Sequence, residues 1–428
     1  MKVDLHCHSK HSKRPSLWLM QKLGCPESFT ESAELYRLLR QRGMDAVTIT
    51  DHNVIDGCLE IAHLDSVFMG CEYTTYFPKD RCKIHVLVYG MTEAQHADIG
   101  KVRENVFDFV GYLRDQNLFH VCAHPLFWVN DKLTLEHVEQ IALLFKNWEV
   151  NGDVCPQMND AVRHVIDGLK RADIERLAHK HGIEPPAPRM WDKNITAGSD
   201  DHSSLNLGRA YTEVYEARTL PEFRAGVENG LARTRCRPAT PQMLARNYYG
   251  IAYQFYRNKL GLERSVKKDV FLRFMDRSLR HGEEGVEPWL SRLHLRWAER
   301  RRSKEPSPGN MSLLALVRSE AERKIRTDPH LSSIVRAGTD EGTNLDRTWF
   351  EFVNHVGNRL LMHLGTRLID RIVNARLLDM FHSLGSAGSL YLLLAPYFAG
   401  LGIHARQRRW SEDVLEHLGW RDLASRVS

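Results

Sequence analysis

The eight cysteines, at positions 7, 25, 58, 71, 82, 122, 155 and 236, include no C-x-x-C pair. That spacing excludes a thiolate zinc site and offers no disulfide framework, so a reducing, cytoplasmic compartment is expected. The first histidine pair begins at residue 6, so no signal peptide is expected ahead of it. No P-loop, zinc-finger spacing or G-x-S-x-G element occurs, and neither an internal repeat nor a low-complexity tract is present. The most apolar run, "SLYLLLAPYFAGLGI" (389–403), is shorter than a membrane span and holds Pro396 and two glycines. It reads as a buried helix pair or hairpin, with a monotopic membrane contact as the alternative.

With those classes removed, 428 residues of ordinary composition suffice for two domains, each with its own core. Charge divides them. Residues 1–240 carry about −4 and residues 241–428 about +9, which together give the overall +5. "RCRPATPQ" (235–242) is the natural linker, so a domain of residues 1–237 and a second of residues 238–428 are expected. The second contains a Pro/Ser/Gly break, "RRSKEPSPGN" (301–310), and is otherwise helical in pattern, with Phe352, Val356, Leu360 and Leu364 at helical spacing. Its arginines read either as solvated helix faces or as a basic surface for a polyanion such as nucleic acid, a nucleotide or anionic lipid.

The first half alternates short β-rich runs with amphipathic helical patterns. The runs are "MKVDLH", "AVTIT" (46–50), "SVFMG" (66–70), "KIHVLVYG" (83–90), "FHVCA" (119–123), "KNWEV" (146–150), "NITAG" (194–198) and "AYTEV" (210–214). Such alternation predicts a parallel sheet with helices outside it. Seven or eight strands suggest a closed or distorted barrel, with chemistry at the strands' C-terminal ends. In "KVDLHCH" the period of two puts His6 and His8 on one face, a geometry suited to gripping one ion. Asp51-His52-Asn53, Cys71-Glu72, His124-Pro125 and Ser199-Asp200-Asp201-His202 each follow a run, and His85 lies within one. Scattered histidines would show no such preference. Imidazoles combined with carboxylates suit Zn²⁺, Mn²⁺ or Fe.

In this order, "DLHCHS", "TDHN", the Glu of "CEYTT", the His of "KIHVLVYG", "AHP" and "GSDDH" resemble the successive motifs of the PHP (polymerase and histidinol phosphatase) superfamily. The resemblance spans residues 1 to about 235 and does not extend to the C-terminal half. It implies a distorted (β/α)7 TIM-like barrel that hydrolyses phosphate esters with two or three divalent metal ions. It also implies that His6, His8 and Asp200 hold a first metal, and that Glu72 bridges it to a second completed by His85 and His124. His52 and His202 match ligands of a third. The loop that usually completes that third site instead presents Lys13 and Arg14, with His11 as the nearest imidazole. Two firmly held ions, with a cation in place of the third, are therefore expected.

Two such ions bring a bridging water toward neutral pKa, and in-line attack of the resulting hydroxide on phosphorus is the expected reaction. Glu72 and Asp200 are then catalytic as well as ligating, and Arg209 is placed to grip a phosphate oxygen. Asp51, which precedes His52, is a candidate for orienting a metal ligand, or else a turn or cap residue. Glu149 lies at a strand end without an assigned role, and Trp18 packs or stacks at the mouth. Thr30 or Ser32 is expected to cap a helix beginning near residue 32. His63, His96, His120, His137, His164, His179 and His181 fit helix or loop surfaces. The substrate class is a nucleotide, a nucleic-acid end or a small phosphomonoester. The alternative is a non-catalytic, metal-stabilised module that recruits nucleic acid, lipid or a protein partner through its basic helices.

Overall fold

The computed structural model describes residues 1–13, 26–130, 132–240 and 387–418, with shorter stretches at 243–244, 247–248, 250–251 and 253–255; within the last helix, side chains are described from Gly402 onward. Arg14, Trp18 and the helical patterns between residues 256 and 386 lie outside the described residues.

The fold is mixed α/β. Five strands form one sheet in the order β2 (Gly70–Tyr76), β3 (Lys83–Tyr89), β4 (Phe119–Cys122), β5 (Asn147–Asn151) and β6 (Asn194–Gly198). Three more form a second sheet in the order β1 (Lys2–Val3), β7 (Ala210–Val214) and β8 (Ala232–Cys236). The expectation of a parallel sheet holds only for β4–β5–β6. β3 runs antiparallel to both β2 and β4. The cause is local: β2 and β3 are joined by a tight turn, with the Phe77 amide bonded to the Cys82 carbonyl at 2.9 Å. A connection that short cannot carry the crossover a parallel pair needs.

The segments expected as strands at 5–8 and 46–50 contribute isolated bridges instead. Cys7 pairs with Asp201, Val47 with Val67 and His52 with Glu72, all in parallel sense. Side chains take amides that a ladder would use: Asp4 accepts from the His6 amide, Thr50 from the Cys7 amide and Asp45 from the Lys2 amide. Backbone bonds nevertheless tie 6–8 to 200–201 (Asp200 N to His6 O, 2.6 Å; His8 N to Asp201 O, 3.1 Å) and Thr50 to Cys7 (2.9 Å). Three motif-bearing stretches are thereby held side by side.

Helix α1 (Ser32–Gln41) buries Leu35, Leu38 and Leu39, as its spacing predicts, but its cap is Glu31, without a side-chain hydrogen bond. Neither Thr30 nor Ser32 fills that place. After α2 (Asp56–Ile61), the long pattern at 94–116 resolves into α3 (Glu93–Val102) and α4 (Val106–Asp115). The break comes where Asn105 caps the second helix through the Phe107 amide. Helices α5 (Leu135–Leu144), α6 (Pro156–Gly168), α7 (Arg171–His181) and α8 (Leu220–Glu228) complete this part. The core joins β2–β6 to α4, α5 and α6, with Trp148, Phe109 and Phe145 fully buried.

The apolar run at 389–403 is part of one helix, α9 (Ala387–His417), and not a pair or hairpin. No described helix is long and apolar enough to cross a membrane. From Ile403, α9 belongs to the same compact unit as the N-terminal residues. Its Gln407 accepts the Cys155 amide at 2.8 Å, and the Trp410 indole donates to the Leu126 carbonyl at 3.0 Å while packing on Trp128. Val414 and Leu415 are completely buried.

At the end of α9, His417 reaches Glu139 at 3.1 Å, where Lys180 and His181 also converge at 2.6 Å each. Burial alone would raise the Glu139 carboxyl, but these three partners outweigh it and hold the pKa below its ordinary value. A depressed carboxylate contributes fully above its unfolded pKa and loses that contribution as pH falls through the folded value. Glu139→Gln is expected to lower stability at neutral pH by about 2 kcal/mol. It is also expected to flatten the loss of Tm that the parent shows below about pH 4.5. Thermal melts across pH measure both.

Candidate metal centre

Glu72 is the hub. It sits in β2, fully buried, opposite Leu87 of β3, and its two oxygens face different partners. Oε2 lies 3.1 Å from His6 Nε2, 3.3 Å from His8 Nε2 and 3.0 Å from His52 Nδ1. Oε1 lies 2.7 Å from His85 Nδ1 and 3.2 Å from His124 Nε2. Asp200 Oδ1 closes the first group, 3.3 Å from His6 Nε2 and 3.2 Å from His8 Nε2. Eight residues named from the sequence (His6, His8, His52, Glu72, His85, His124, Asp200 and His202) thus meet in one place. Four overlapping sets place three ligand atoms within 4.8 Å of one another: His6–His8–Glu72, His6–His124–Asp200, His52–Glu72–His85 and His8–His52–His202.

These side chains fit divalent ions on three counts. Ligand atoms bound tetrahedrally at roughly 2.0–2.1 Å lie about 3.3 Å from one another, close to the separations around Glu72 Oε2 and Asp200 Oδ1. The Nε2 atoms of His6, His8 and His202 are buried without a hydrogen bond, as are Nδ1 of His52 and of His85. Finally, Glu27, Glu72, Glu149 and Asp200 are gathered in a buried space, which requires compensating positive charge. Burial would raise Glu72 and Asp200, yet the imidazoles outweigh it and keep both well below the usual carboxylate range. His85 is driven down to about 4 by burial, so it presents a neutral ring suited to ligation.

Neighbouring groups fix the tautomers. His6 Nδ1 donates to Glu149 Oε1 at 2.9 Å, which turns the Nε2 lone pair toward Glu72 and Asp200. Glu149, unassigned from sequence, is therefore an orienting residue. Its other oxygen accepts the His124 amide and the Asn151 side chain, both at 2.9 Å. Asn151 in turn donates to Asp200 at 3.0 Å. His8 Nδ1 bonds Ser12 Oγ at 3.0 Å, and Ser12 donates to Asp51 at 2.9 Å. Asp51 thus acts through Ser12 on His8, and the same Ser12 Oγ accepts the His52 amide at 3.3 Å. His202 Nδ1 donates to the Asp200 carbonyl at 3.0 Å.

The backbone is shaped to suit. His124 and Asp200 have φ of +28° and +53°, sparsely populated values that persist where surrounding contacts impose them. Gly198 ends β6 directly behind His6: a Cβ there would stand 2.3 Å from His6 Cβ and 2.9 Å from Glu149 Oε1.

The third corner departs from expectation. Glu27, which sequence reasoning missed, places Oε2 3.2 Å from His52 Nε2 and Oε1 3.8 Å from His202 Nε2. Burial works against its ionisation, but His52 outweighs that and brings the carboxyl down to about 2. Lys13 is exposed, and His11 pairs with Glu60 at 3.0 Å. The carboxylate beside these two rings thus comes from much further along the loop than the positions next to the histidine pair. The only signal was "PES" (26–28), a few residues ahead of α1. Arg209 is held by Asn206 Oδ1 at 3.2 Å on the loop that leaves Asp200 and His202. Of the histidines assigned to surfaces, His120 lies in β4 and His137 is buried at the start of α5.

No protein-family model matches the chain. Among curated proteins it is 38% identical over 68 residues to an uncharacterized protein, MJ1587, of Methanocaldococcus jannaschii. The match covers 16% of this chain and 38% of that protein. Among solved structures, PsfC from Pseudomonas syringae PB-5123 aligns over 60% of this chain and 98% of its own, at 14% identity and TM-score 0.34. An amidohydrolase from Chromobacterium violaceum aligns over 47% of this chain and 87% of its own, at 14% identity and TM-score 0.29. A protein described as a metal-dependent phosphoesterase, from Bifidobacterium adolescentis, has the same coverage at 15% identity and TM-score 0.21. At these scores the similarities carry no functional argument, which rests on the site itself.

Because Glu149 orients a ligand without being one, Glu149→Gln is expected to weaken metal binding by about 10–100-fold. Gly198→Ala, which displaces His6 directly, should cost at least as much. Metal content after dialysis against a graded chelator series, read by elemental analysis, measures both.

Proposed function

We propose that this chain is a metal-dependent hydrolase of phosphate esters, of the PHP type that its motifs resemble. The observation that carries the reading is Glu72, one carboxylate whose two oxygens face separate groups of imidazoles, as a bridge between two ions would. On this reading the bridges at 7–201, 47–67 and 52–72 close the five-stranded sheet into a distorted (β/α)7 barrel. Residues 1–237 carry the chemistry in a cytoplasmic protein, and the basic half, 238–428, recruits a polyanion.

Bound divalent ions would supply Lewis acidity and hydroxide at neutral pH. The chain's own residues set the geometry. His6, His8 and Asp200 would hold one ion and His85 and His124 the second, with one Glu72 oxygen facing each group. Asp200 keeps 15% side-chain exposure and His202 17%, against none for His6 and His8, so substrate enters on the Asp200–His202 side. Arg209, fixed by Asn206 on the same loop, supplies a guanidinium for a phosphate oxygen. Glu27 with His52 and His202 would form a third corner able to hold a further ion.

Turnover of a phosphate ester should disappear on chelation and return with Mn²⁺ or Zn²⁺. Glu72→Gln should be more damaging than His85→Ala, because it weakens both positions at once. Glu27→Gln should remove about one ion per chain and leave the other two. Elemental analysis with a screen of nucleotides, sugar phosphates and short oligonucleotides reads these outcomes. Full activity in metal-free protein would exclude the proposal, and a metal-loaded protein inert toward every ester would favour a non-catalytic binding module.

A further inference from the structure

We propose that the outward face of the β7–β8 pair is a docking surface for single-stranded nucleic acid. The observation is a row of three exposed arginines on β8 and its continuation, Arg233, Arg235 and Arg237, at alternate positions. Alternation places them on one face, spaced over about 13 Å. Among the described residues none of the three guanidiniums has a hydrogen-bond or ion-pair partner. Most other described arginines differ in this. Elsewhere on this unit, Arg37, Arg81, Arg114, Arg171, Arg189 and Arg224 are each engaged by a carboxylate.

The register adds aromatic surface to the same face. Arg235 lies opposite Tyr211 and Arg233 opposite Glu213, so these side chains share a side of the sheet. Just past the last pair stand Tyr215, 83% exposed, and Leu231, 67% exposed, two of the three exposed large hydrophobic residues described. The opposite face is covered: Thr234 bonds Arg163 of α6, and Val214 packs on Gly226 of α8. β8 is the edge of its sheet. The acidic groups nearby are Glu213, whose nearest cation is Lys2 at 3.8 Å, and the exposed Glu216.

Uncommitted guanidiniums at regular spacing match a phosphodiester backbone, and an exposed phenol ring offers a stacking platform. A duplex hides its base faces, so the aromatic component selects a single strand. The row also leads toward the metal cluster, since Cys236 bonds the Asn151 carbonyl at 3.5 Å and Asn151 donates to Asp200. The proposal does not depend on the reading of that centre, because binding is measured without turnover.

The test is fluorescence anisotropy of a labelled 20-nucleotide oligo-dT with the full chain, titrated at several salt concentrations. Three phosphate contacts give a slope of about −2 in log K against log salt. The triple variant Arg233→Gln/Arg235→Gln/Arg237→Gln should bind at least tenfold more weakly and lose most of that slope. Tyr215→Ala should weaken binding about fivefold or more with the slope kept. Removing equal charge from ion-paired positions, by Arg171→Gln/Arg176→Gln/Arg189→Gln, should leave binding intact. Melting curves establish that each variant is folded. The proposal is overturned by any one of four results: no binding by the parent, equal binding by the β8 triple variant, equal loss in the control variant, or a preference for duplex or anionic vesicles over the single strand.

Discussion

Four carboxylates and six imidazoles crowded into one buried space constitute the constraint around which this protein is organised. Such a cluster is unfavourable unless positive charge enters it, because each carboxylate has given up its hydration. Glu72 feels this most: it is completely buried, in the middle of a sheet, with five imidazole nitrogens within 3.3 Å of its two oxygens. Much of the surrounding architecture keeps that arrangement from relaxing. Glu149, Ser12 and the Asp200 carbonyl fix ring orientations, while the positive φ values of His124 and Asp200 aim those side chains inward. The cluster's need for positive charge is built into its own electrostatics.

That need accounts for the distribution of secondary structure. β2 to β6 form one continuous sheet, whereas the segments bearing His6, His8 and His52 adjoin it through isolated bridges. Asp4, Thr50 and Ser199 bond to the backbone of these segments, so local polar contacts replace ladder bonds where ligands must project. The regular sheet supplies rigidity, and the irregular edge supplies the close approach of ligands that regular pleating would hold apart.

Much of this was readable from residue order. Strands β3 to β7 lie where alternation and β-branched residues place them, and every residue named as a ligand reaches the cluster. This succeeded because each ligand sits beside a strand end or on a strand, where local sequence already dictates direction. What escaped notice depended on distant partners. Glu149 resembles any charged strand residue until His6 and the His124 amide arrive beside it. Glu27 belongs to a long loop whose path has no periodicity, so only tertiary structure carries it to His52. The antiparallel β2–β3 pair was missed because the alternating pattern fixes which residues face inward but not the direction of a neighbouring strand. Only the end of β8 falls in the expected linker, and "ARTRC" gives no strand signal because, at the edge of its sheet, it lacks an apolar face.

The contacts of α9 carry a consequence for how the molecule comes into being. Cys155 and Gln407 are separated by 252 positions, and Leu126 and Trp410 by 284. During synthesis the loops following β4 and β5 leave the ribosome long before the helix that braces them exists. Loop closure over such lengths is slow compared with local folding, so the N-terminal ladder forms first and waits, with the Trp128 face uncovered. Final tightening of the His124 loop belongs to the last stage of folding. A nascent chain interrupted before α9 would therefore present a nearly complete sheet with a slack rim, sticky to other chains, until its own C-terminus arrived.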